Sequence, residues 1–210
     1  MAAADQHWKE QHWKESNFYT YYSEKAGLRD EDFEALQPYF SLHSIPHGEY
    51  LLREGEVCTY AFFVESGLLM SYTLDEKGNE HILQFAPENW IAADRASQYF
   101  EQPASFYIKA IEPASIVFTR PEFTREASKR SQDFSRFLES SLQRNIYTQQ
   151  RRINSLLGMS AKQRYLEFMQ MYPGMLQRVP QWMIASYLGI TPESLSRVRR
   201  ELLSPGSHSL

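Results

Sequence analysis

The sequence predicts an α+β chain that runs from an N-terminal antiparallel β jelly roll through a long α-helix to a C-terminal helix-turn-helix. Short runs of β-branched and aromatic residues fill residues 42–120, and glycine-containing turns interrupt them at intervals of 7, 12 and 11 residues, which is typical of a sandwich or barrel. Residues 69–74 and 80–85 flank a DEKG turn and should form a hairpin. Residues 132–157 contain no Pro or Gly, and after residue 181 small and apolar residues stand at the offsets of a helix-turn-helix.

Composition limits the class of protein. Hydrophobic residues make up 42% of the chain and aromatic residues 14%, enough for a packed core. The apolar runs are too short to span a bilayer, and the first residues lack the basic flank and apolar core of a secretory signal, so we expect a cytoplasmic protein without membrane contact. Cys58 is the only cysteine, which excludes an internal disulfide and a four-cysteine iron–sulfur or zinc site.

The sequence offers no nucleophile–base pair, no metal-spaced histidine cluster and no glycine-rich phosphate loop. We therefore expect neither an enzyme nor a resident cofactor or metal. His43, His47, His81 and Cys58 are haem-ligand candidates by residue type alone, and each is also consistent with an ordinary strand or surface residue.

Charge is distributed unevenly along the chain. The formal net charge is −4, which by itself argues against nucleic-acid binding. From Arg144 onward, however, nine Lys and Arg stand against three Asp and Glu, whereas residues 1–143 are strongly acidic. A basic C-terminal third is expected where one region contacts phosphate groups. A basic, solvated surface without a partner explains the charge alone equally well.

The N-terminal segment is interpreted as an arm. Residues 6–10 and 11–15 are identical copies, QHWKE, whose two Trp cannot share one helix face because five residues advance a helix by roughly 500°. We expect an irregular or helical arm with no functional role. Phe33, Leu36 and Phe40 then stand at helical spacing and predict short helices before the jelly roll.

The long helix carries a narrow apolar stripe. Residues 132–157 would form a rod of about 39 Å, and their apolar residues recur every three or four positions. Such a helix is too exposed to be stable alone, so a second copy of the chain is expected to pack along it. The alternative is a core helix that lies on the β domain. The positions assigned to the dimer helix are Leu138, Leu142, Ile146 and Ile153.

Seven residues fit a helix-turn-helix that begins at Gln181. Ala185 is small where the two helices cross closest, and Gly189 is free to adopt the positive φ of a sharp turn. Thr191 is expected to cap the second helix, with Pro192 at its first position, where a backbone N–H is not needed. The aliphatic residues that should bury the unit are Ile184, Leu188, Ile190, Leu195 and Val198.

The second helix would project polar side chains outward. Glu193 is able to accept from cytosine N4, and Arg197 is able to donate to guanine O6 and N7, each with about 1–3 kcal/mol of discrimination. Since the two lie four residues apart, an exposed ion pair is the simpler alternative. Arg199 and Arg200 are expected to contact phosphates, which position a protein without reading sequence. The set assigned to DNA contact is Thr191, Pro192, Glu193, Ser194, Ser196, Arg197, Arg199 and Arg200.

Over about residues 40–203 the sequence resembles the cyclic-AMP receptor protein/Fnr (Crp/Fnr) family of bacterial transcription regulators. The resemblance implies a cyclic-nucleotide-binding-like β-roll sensor domain, a dimerising helix and a winged-helix-like DNA-binding domain, with Glu193 and Arg197 at the base-reading positions. Pro192 stands where the family often has Arg or Ser, so the operator preference should differ. The motifs that carry the resemblance are IPHGEYLLREG at 45–55, FFVESG at 62–67, DEKGNE at 75–80, the long helix and LGITPESLSR at 188–197.

The sequence departs from the family pattern in two places. Nucleotide-binding members hold the cyclic phosphate with backbone N–H groups and an Arg, but the matching stretches, residues 88–94 and 102–105, lack that Arg and bring Asp94 near the anion position. We therefore expect an unknown small-molecule effector, or a pocket filled by side chains, rather than cyclic AMP. The chain also ends at Leu210, so we expect the β-hairpin wing to be truncated. The pocket candidates are Ala92, Asp94, Ser105, Tyr107, Tyr147 and Thr148.

These inferences divide the chain into an arm (1–17), a β-roll sensor domain (18–120), a linker with the dimerisation helix (121–158) and a helix-turn-helix domain (159–210). The predicted function is binding of a pseudo-palindromic operator in double-stranded DNA by a homodimer. The alternative is a module in which a cyclic nucleotide or another small ligand binds the β-roll and controls DNA binding.

Overall fold

The computed structural model describes residues 12–203, which form two compact units. The first contains the chain up to Leu74 and Leu83–Leu142, and the second contains Asp75–Ile82 and the chain from Gln143 onward. The strands are β1 (Phe40–Ile45), β2 (Tyr50–Leu52), β3 (Ala61–Ser66), β4 (Leu69–Leu74), β5 (Glu80–Ala86), β6 (Ile91–Ala92), β7 (Tyr107–Ala110) and β8 (Ala114–Thr119). The α-helices are α1 (Asn17–Ala26), α2 (Asp30–Leu36), α3 (Arg95–Phe100), α4 (Pro121–Arg130), α5 (Gln132–Gly158), α6 (Ala161–Met171), α7 (Met175–Arg178), α8 (Gln181–Leu188) and α9 (Pro192–Leu203).

The strands build a jelly roll of two four-stranded sheets, as the glycine spacing predicts. The strand orders are β1-β8-β3-β6 and β2-β7-β4-β5, so neighbours in space come from distant parts of the chain. Phe62 and Val64 of the first sheet and Leu69 and Ile108 of the second are buried in one apolar core. The predicted hairpin is confirmed, because β4 and β5 flank the DEKG turn.

The turn between β4 and β5 is held by one carboxylate. Asp75 accepts hydrogen bonds from the side-chain amide and the backbone N–H of Asn79 and from the backbone N–H of Lys77, all at 2.9 Å. These bonds, with a further one from His81, hold the pKa of Asp75 well below its usual range. The tip of the hairpin is therefore defined by side-chain bonds as well as by its backbone.

A second apolar cluster joins the N-terminal helices to the first sheet. Trp13 is fully buried and stacks on Phe33 with ring centroids 5.2 Å apart, and Phe18 contacts Phe63 of β3 at 5.3 Å. The carboxylate of Glu65 accepts from the first two backbone N–H groups of α1 at 2.5 and 2.9 Å. Part of the predicted arm thus packs into a core, whereas residues 1–11, which include the first QHWKE copy, lie outside the described residues.

The helical spacing of Phe33, Leu36 and Phe40 predicts the structure only in part. Phe33 and Leu36 are buried on α2, but Phe40 is the first residue of β1, so its assignment to a helix is wrong. Gln37–Tyr39 form a 3-10 turn around Pro38, because proline lacks the backbone N–H that would continue the helix. Phe40 still packs against the same aromatic cluster, which explains its helix-like spacing.

The predicted long helix is confirmed as α5, which ends at Gly158. Near its start Phe134 is buried in the aromatic cluster and Phe137 packs at the cluster's edge. Beyond this point the apolar stripe is largely uncovered. The exposed fractions of Leu138, Leu142, Ile146 and Ile153 are 38%, 40%, 45% and 56%.

The helices after α5 form a small core of their own. Ser160 caps α6: its hydroxyl accepts from the backbone N–H of Gln163, whose side chain accepts in return from the Ser160 N–H at 2.9 Å. Phe168 of α6 and Tyr187 of α8 lie in contact, with ring centroids 5.3 Å apart. This core supports the last two helices.

Candidate nucleic-acid interface

Helices α8 and α9 are joined by the sharp turn that the sequence predicts. Gly189 adopts φ 64°, a left-handed conformation that favours glycine, and its N–H donates to the carbonyl of Ser186 at 3.0 Å. The N–H of Ile190 donates to the carbonyl of Ala185 at 3.0 Å, and Ala185 is buried where α8 and α9 meet. The predicted core residues Ile184, Leu188, Leu195 and Val198 are buried, and Ile190 is half-buried.

The start of α9 carries its own cap. The hydroxyl of Thr191 accepts from the backbone N–H of Ser194 at 3.2 Å, and Pro192 is the first helical residue, as predicted. Hydrogen bonds from its own backbone N–H and from Thr191 lower the pKa of Glu193. The Glu193 carboxylate is therefore ionised at neutral pH and is able only to accept hydrogen bonds.

One face of α9 is buried and the other is polar and exposed. Leu195 and Val198 face the core, whereas Glu193, Ser196, Arg197 and Arg200 are exposed. Ser194 and Arg199 are half-buried at the border between the two faces. Within residues 12–203, Arg197 forms no ion pair with Glu193, so the simpler alternative of an intrahelical pair is not realised. The Arg197 guanidinium is accessible from outside the molecule.

Helix α8 contacts β5 and α5 through two side chains for which the sequence carries no direct signal, Ser186 of α8 itself and Arg152 of α5. The side chain of Ser186 bonds the backbone of residues 80–82, and the Arg152 guanidinium lies over the ring of Tyr187. Neither contact has a periodic sequence signal, because each joins elements far apart along the chain. The one local signal is that polar residues interrupt the apolar stripe of α5 between Tyr147 and Arg152.

Asp94, one of the pocket candidates, is the N-cap of α3. Its carboxylate accepts from the backbone N–H groups of Ala96 and Ser97 at 2.9 and 3.4 Å and from the Ser97 hydroxyl at 3.3 Å. Asp94 itself is buried, and Ala92 is buried in the apolar core of the β-roll. The N–H groups at the start of α3 therefore already have a carboxylate of the chain as their partner.

Tyr107 lies on the face of its sheet that points away from the β-roll core. Ile108 is part of that core, and successive side chains of a strand point to opposite faces. Tyr107 stacks on its cross-strand partner Tyr72 with centroids 5.0 Å apart and planes at 15°. Ser105 is exposed two residues earlier. Ala92 ends β6 of the first sheet and Asp94 caps α3, whereas Tyr107 lies on β7 of the second sheet, so the structure does not place these four candidates on one strand.

The remaining two pocket candidates lie on α5. Tyr147 is exposed, and the hydroxyl of Thr148 donates to the carbonyl of Arg144 at 2.9 Å, one turn earlier in the same helix. The haem-ligand candidates are engaged in ordinary contacts: the His43 ring bonds Ser41 at 2.8 Å, and Cys58 donates to a backbone carbonyl at 3.2 Å. Burial raises the pKa of the Cys58 thiol.

One protein family and several solved structures are similar to this chain. Residues 42–131 match the cyclic nucleotide-binding domain family. FixK2 from Bradyrhizobium japonicum superposes with a TM-score of 0.64 and 21% identity, over 78% of this chain and 84% of that chain. The c-di-GMP-responsive regulator CLP from Xanthomonas campestris gives 0.65 and 14%, over 87% and 96%. The catabolite activator protein from Thermus thermophilus gives 0.53 and 21%, over 88% of each. We find no match among curated protein sequences.

The chain has the fold of the Crp/Fnr regulators. The resemblance inferred from the sequence motifs is thereby confirmed, and so is the fold class, a cyclic-nucleotide-binding-like β-roll followed by a long helix and a helix-turn-helix. Every helix of residues 12–203 is too short or too polar to cross a lipid bilayer. The same residues contain no group of three His, Cys, Asp or Glu side chains placed to hold a metal ion. The predicted truncation of the wing concerns residues 204–210, which lie outside the described residues.

Proposed function

We propose that this chain is a homodimeric transcription regulator of Crp/Fnr type that binds a pseudo-palindromic operator in double-stranded DNA, in the cytoplasm. The observation that carries the proposal is the exposed polar face of α9. Helix α9 is capped at its start and packs through buried apolar residues on one face. On the other face Arg197 and Glu193 are exposed and do not pair with each other. This arrangement suits a helix that enters the major groove and reads base edges there.

We assign two kinds of DNA contact to α9. Arg197 would donate in a bidentate manner to guanine, and Glu193 would accept from cytosine, because these are the groups that the two side chains complement in the major groove. Arg199 and Arg200, in the following turn, would bind phosphates. Thr191, Pro192, Ser194 and Ser196 would line the remaining contact surface near the start of the helix.

The second copy of the chain is proposed to pack along α5. The apolar side chains of its stripe follow one another at four, four and seven residues, the spacing of a helix-packing seam. Each exposes between 38% and 56% of its surface in the single chain. A parallel partner helix would cover the stripe and bring two copies of α9 to one side of the dimer, which suits a two-fold DNA site.

Small-molecule control by the β-roll is the second candidate function, and the match of residues 42–131 to the cyclic nucleotide-binding domain favours it. Cyclic AMP held in the family's usual manner is disfavoured, because Asp94 already bonds the N–H groups of α3 that a phosphate would need. We expect a calorimetric titration with cyclic AMP to give no binding heat. Micromolar binding would contradict the inference that the Asp94 cap excludes the cyclic phosphate.

The proposed function is tested by selecting binding sites from random double-stranded DNA. We expect the purified chain to enrich an inverted repeat whose half-sites are centred about 10–10.5 base pairs apart, or a multiple of that, because each α9 would read one turn of the major groove. Sedimentation should give the mass of two chains. Enrichment of a single half-site by a monomer would contradict the proposal.

Asp94→Ala is expected to lower the free energy of unfolding by about 1–2 kcal/mol, because α3 loses its N-cap and buried N–H groups lose their acceptor. Asp94→Asn should lose less, since the amide oxygen still accepts from the helix N-terminus. Urea unfolding measures both values. Glu139→Ala, which removes an exposed carboxylate from α5, is the control, and an equal loss in the control and in Asp94→Ala would refute the capping role.

A further inference from the structure

Helix α8 is in contact with two elements outside the helix-turn-helix, β5 and α5. Ser186, on the second turn of α8, contacts β5 where the strand begins. Tyr187, the next residue, is contacted by Arg152 of α5. All of these residues belong to the second compact unit, which contains both Asp75–Ile82 and the chain from Gln143 onward.

The contact with β5 uses the free edge of a sheet. The backbone N–H of Ile82 donates to the Ser186 hydroxyl at 3.0 Å, and that hydroxyl donates to the carbonyl of Glu80 at 2.9 Å. β5 is the last strand in the order β2-β7-β4-β5, so no strand of residues 12–203 lies beyond it on that side. Ser186 therefore supplies both the acceptor and the donor that another strand would provide. Because Ile82 is buried, an unmatched N–H there would be unfavourable.

The contact with α5 ends on the carbonyl of Tyr187. The Arg152 guanidinium carbon lies 3.6 Å from the centroid of the Tyr187 ring, and the same guanidinium donates to the Tyr187 backbone carbonyl. That carbonyl lies in the last turn of α8, where carbonyl groups in general lack the helical N–H of a later turn. Burial lowers the pKa of Arg152, yet an arginine keeps its charge at neutral pH. The contact is thus a charge-assisted bond with a stacked ring beside it.

The same part of α5 is also fixed to α6. Arg151 donates to the carboxylate of Glu167 at 2.7 Å, and the Ser155 hydroxyl donates to that carboxylate at 2.9 Å. Helix α8 in turn determines where α9 lies, because the Gly189 turn and the shared buried residues leave little freedom between them. A displacement of α8 would therefore move Arg197.

We propose that Ser186 and Arg152 are positioning residues that together fix α8 against residues 80–82 and α5, and thereby set the half-site spacing that the dimer selects. The inference rests on the proposed function, since it needs two copies of α9 on one DNA site. Neither residue is assigned to DNA contact. Loss of the Ser186 contact or of the Arg152 contact leaves the DNA-contacting side chains of α9 in place. It allows each α9 to shift relative to α5.

The readout is affinity for operators whose half-sites are moved apart or together by one and two base pairs. The wild-type chain should bind the best spacing about tenfold or more tightly than spacings changed by two base pairs, because one extra base pair rotates the second half-site away from a fixed α9. Ser186→Ala and Arg152→Met should each reduce this preference to about threefold or less. Binding to an isolated half-site should change by less than about threefold, because the base contacts of one α9 are unaltered.

Conservative variants separate positioning from a loss of folding. Ser186→Thr keeps the hydroxyl and should retain the wild-type spacing profile. Arg152→Lys keeps the charge but not the planar, forked donor, so it should behave like Arg152→Met. Ser140→Ala and Arg136→Met change exposed residues of α5 and should leave the profile unaltered. Amide hydrogen exchange at Ile82 should accelerate in Ser186→Ala and remain slow in Ser186→Thr.

The spacing measurements distinguish a failure of the proposed function from a failure of the positioning role of Ser186 and Arg152. A wild-type chain that shows no preference for paired half-sites would refute the proposed function and the inference together. A wild-type chain with a sharp spacing preference that both Ser186→Ala and Arg152→Met retain would overturn the inference alone. If only one variant loses the spacing preference, only that residue positions α8, and the proposal that Ser186 and Arg152 act together is wrong.

Discussion

Ile146→Glu is expected to convert the dimer into monomers and to lower affinity for a two-half-site operator by about 10²–10⁴-fold. Ile146 lies near the middle of the uncovered stripe on α5, where 45% of its surface is exposed in the single chain. Across a two-fold seam, two carboxylates would face each other in a region that excludes water, which disfavours both charges. A monomer bound at one half-site would then no longer raise the effective concentration of a second copy at the other half-site. Analytical ultracentrifugation and gel-shift titration measure the two effects.

Asn145→Glu provides a matched control for this prediction. It introduces the same charge at the preceding exposed position, which lies about 100° around the helix and off the stripe. The control should remain dimeric and should bind the operator within about twofold of the wild type. If Ile146→Glu sediments as a dimer like the control, α5 is not the interface and the stripe needs another partner.

The elements that the sequence predicts well are those fixed by local physics. Gly189 was expected to carry a positive φ because a sharp turn between two helices requires one, and Thr191 and Pro192 were expected to begin α9 because each suits a helix N-terminus. The glycines of residues 42–120 predicted the jelly roll because tight turns between short strands also require residues that adopt a positive φ. In each case the requirement lies within a few residues, so a short stretch of sequence is enough to express it.

The features that the sequence did not reveal depend on long-range contacts. Trp13 is fully buried because residues from α1, α2 and β3 form an aromatic cluster around it, and no spacing within the N-terminal segment indicates this. Asp94 was expected to matter for its charge near a ligand, whereas in the structure its carboxylate caps α3. Ser186 contacts residues more than one hundred positions earlier. Hydrophobic periodicity and residue propensity are local properties, so they do not indicate contacts between residues that are far apart in the sequence.

Basic residues on one helix should affect DNA binding in two distinguishable ways. Arg200 is exposed in the last part of α9 and is assigned to phosphate, so Arg200→Ala should weaken binding to all DNA sequences alike. It should also reduce the dependence on salt, since each phosphate contact contributes about −0.9 to the log–log slope. A base-reading residue should instead lower the affinity for the operator and leave non-specific binding nearly unchanged. This contrast defines the test for Arg197.

Arg197→Ala is expected to weaken operator binding by about 2–6 kcal/mol for the two half-sites together, because each bidentate contact with guanine contributes about 1–3 kcal/mol of discrimination. The fold of the variant should be unchanged, since the Arg197 side chain is exposed and pairs with neither Glu193 nor another described residue. Gel-shift titrations against the selected operator and against a scrambled duplex measure the specific and non-specific affinities.

Arg136→Ala is the matched control, because it removes one exposed arginine per chain from a position outside the proposed interface. It should reproduce the wild-type affinities on both duplexes. Substituting the guanine paired with Arg197 should weaken the wild type as much as the Arg197→Ala substitution does, and should have little further effect on that variant, because the two changes remove the same contact. If Arg197→Ala binds the operator as tightly as Arg136→Ala does, the exposed face of α9 does not read DNA, and the assignment of this helix to the major groove is wrong.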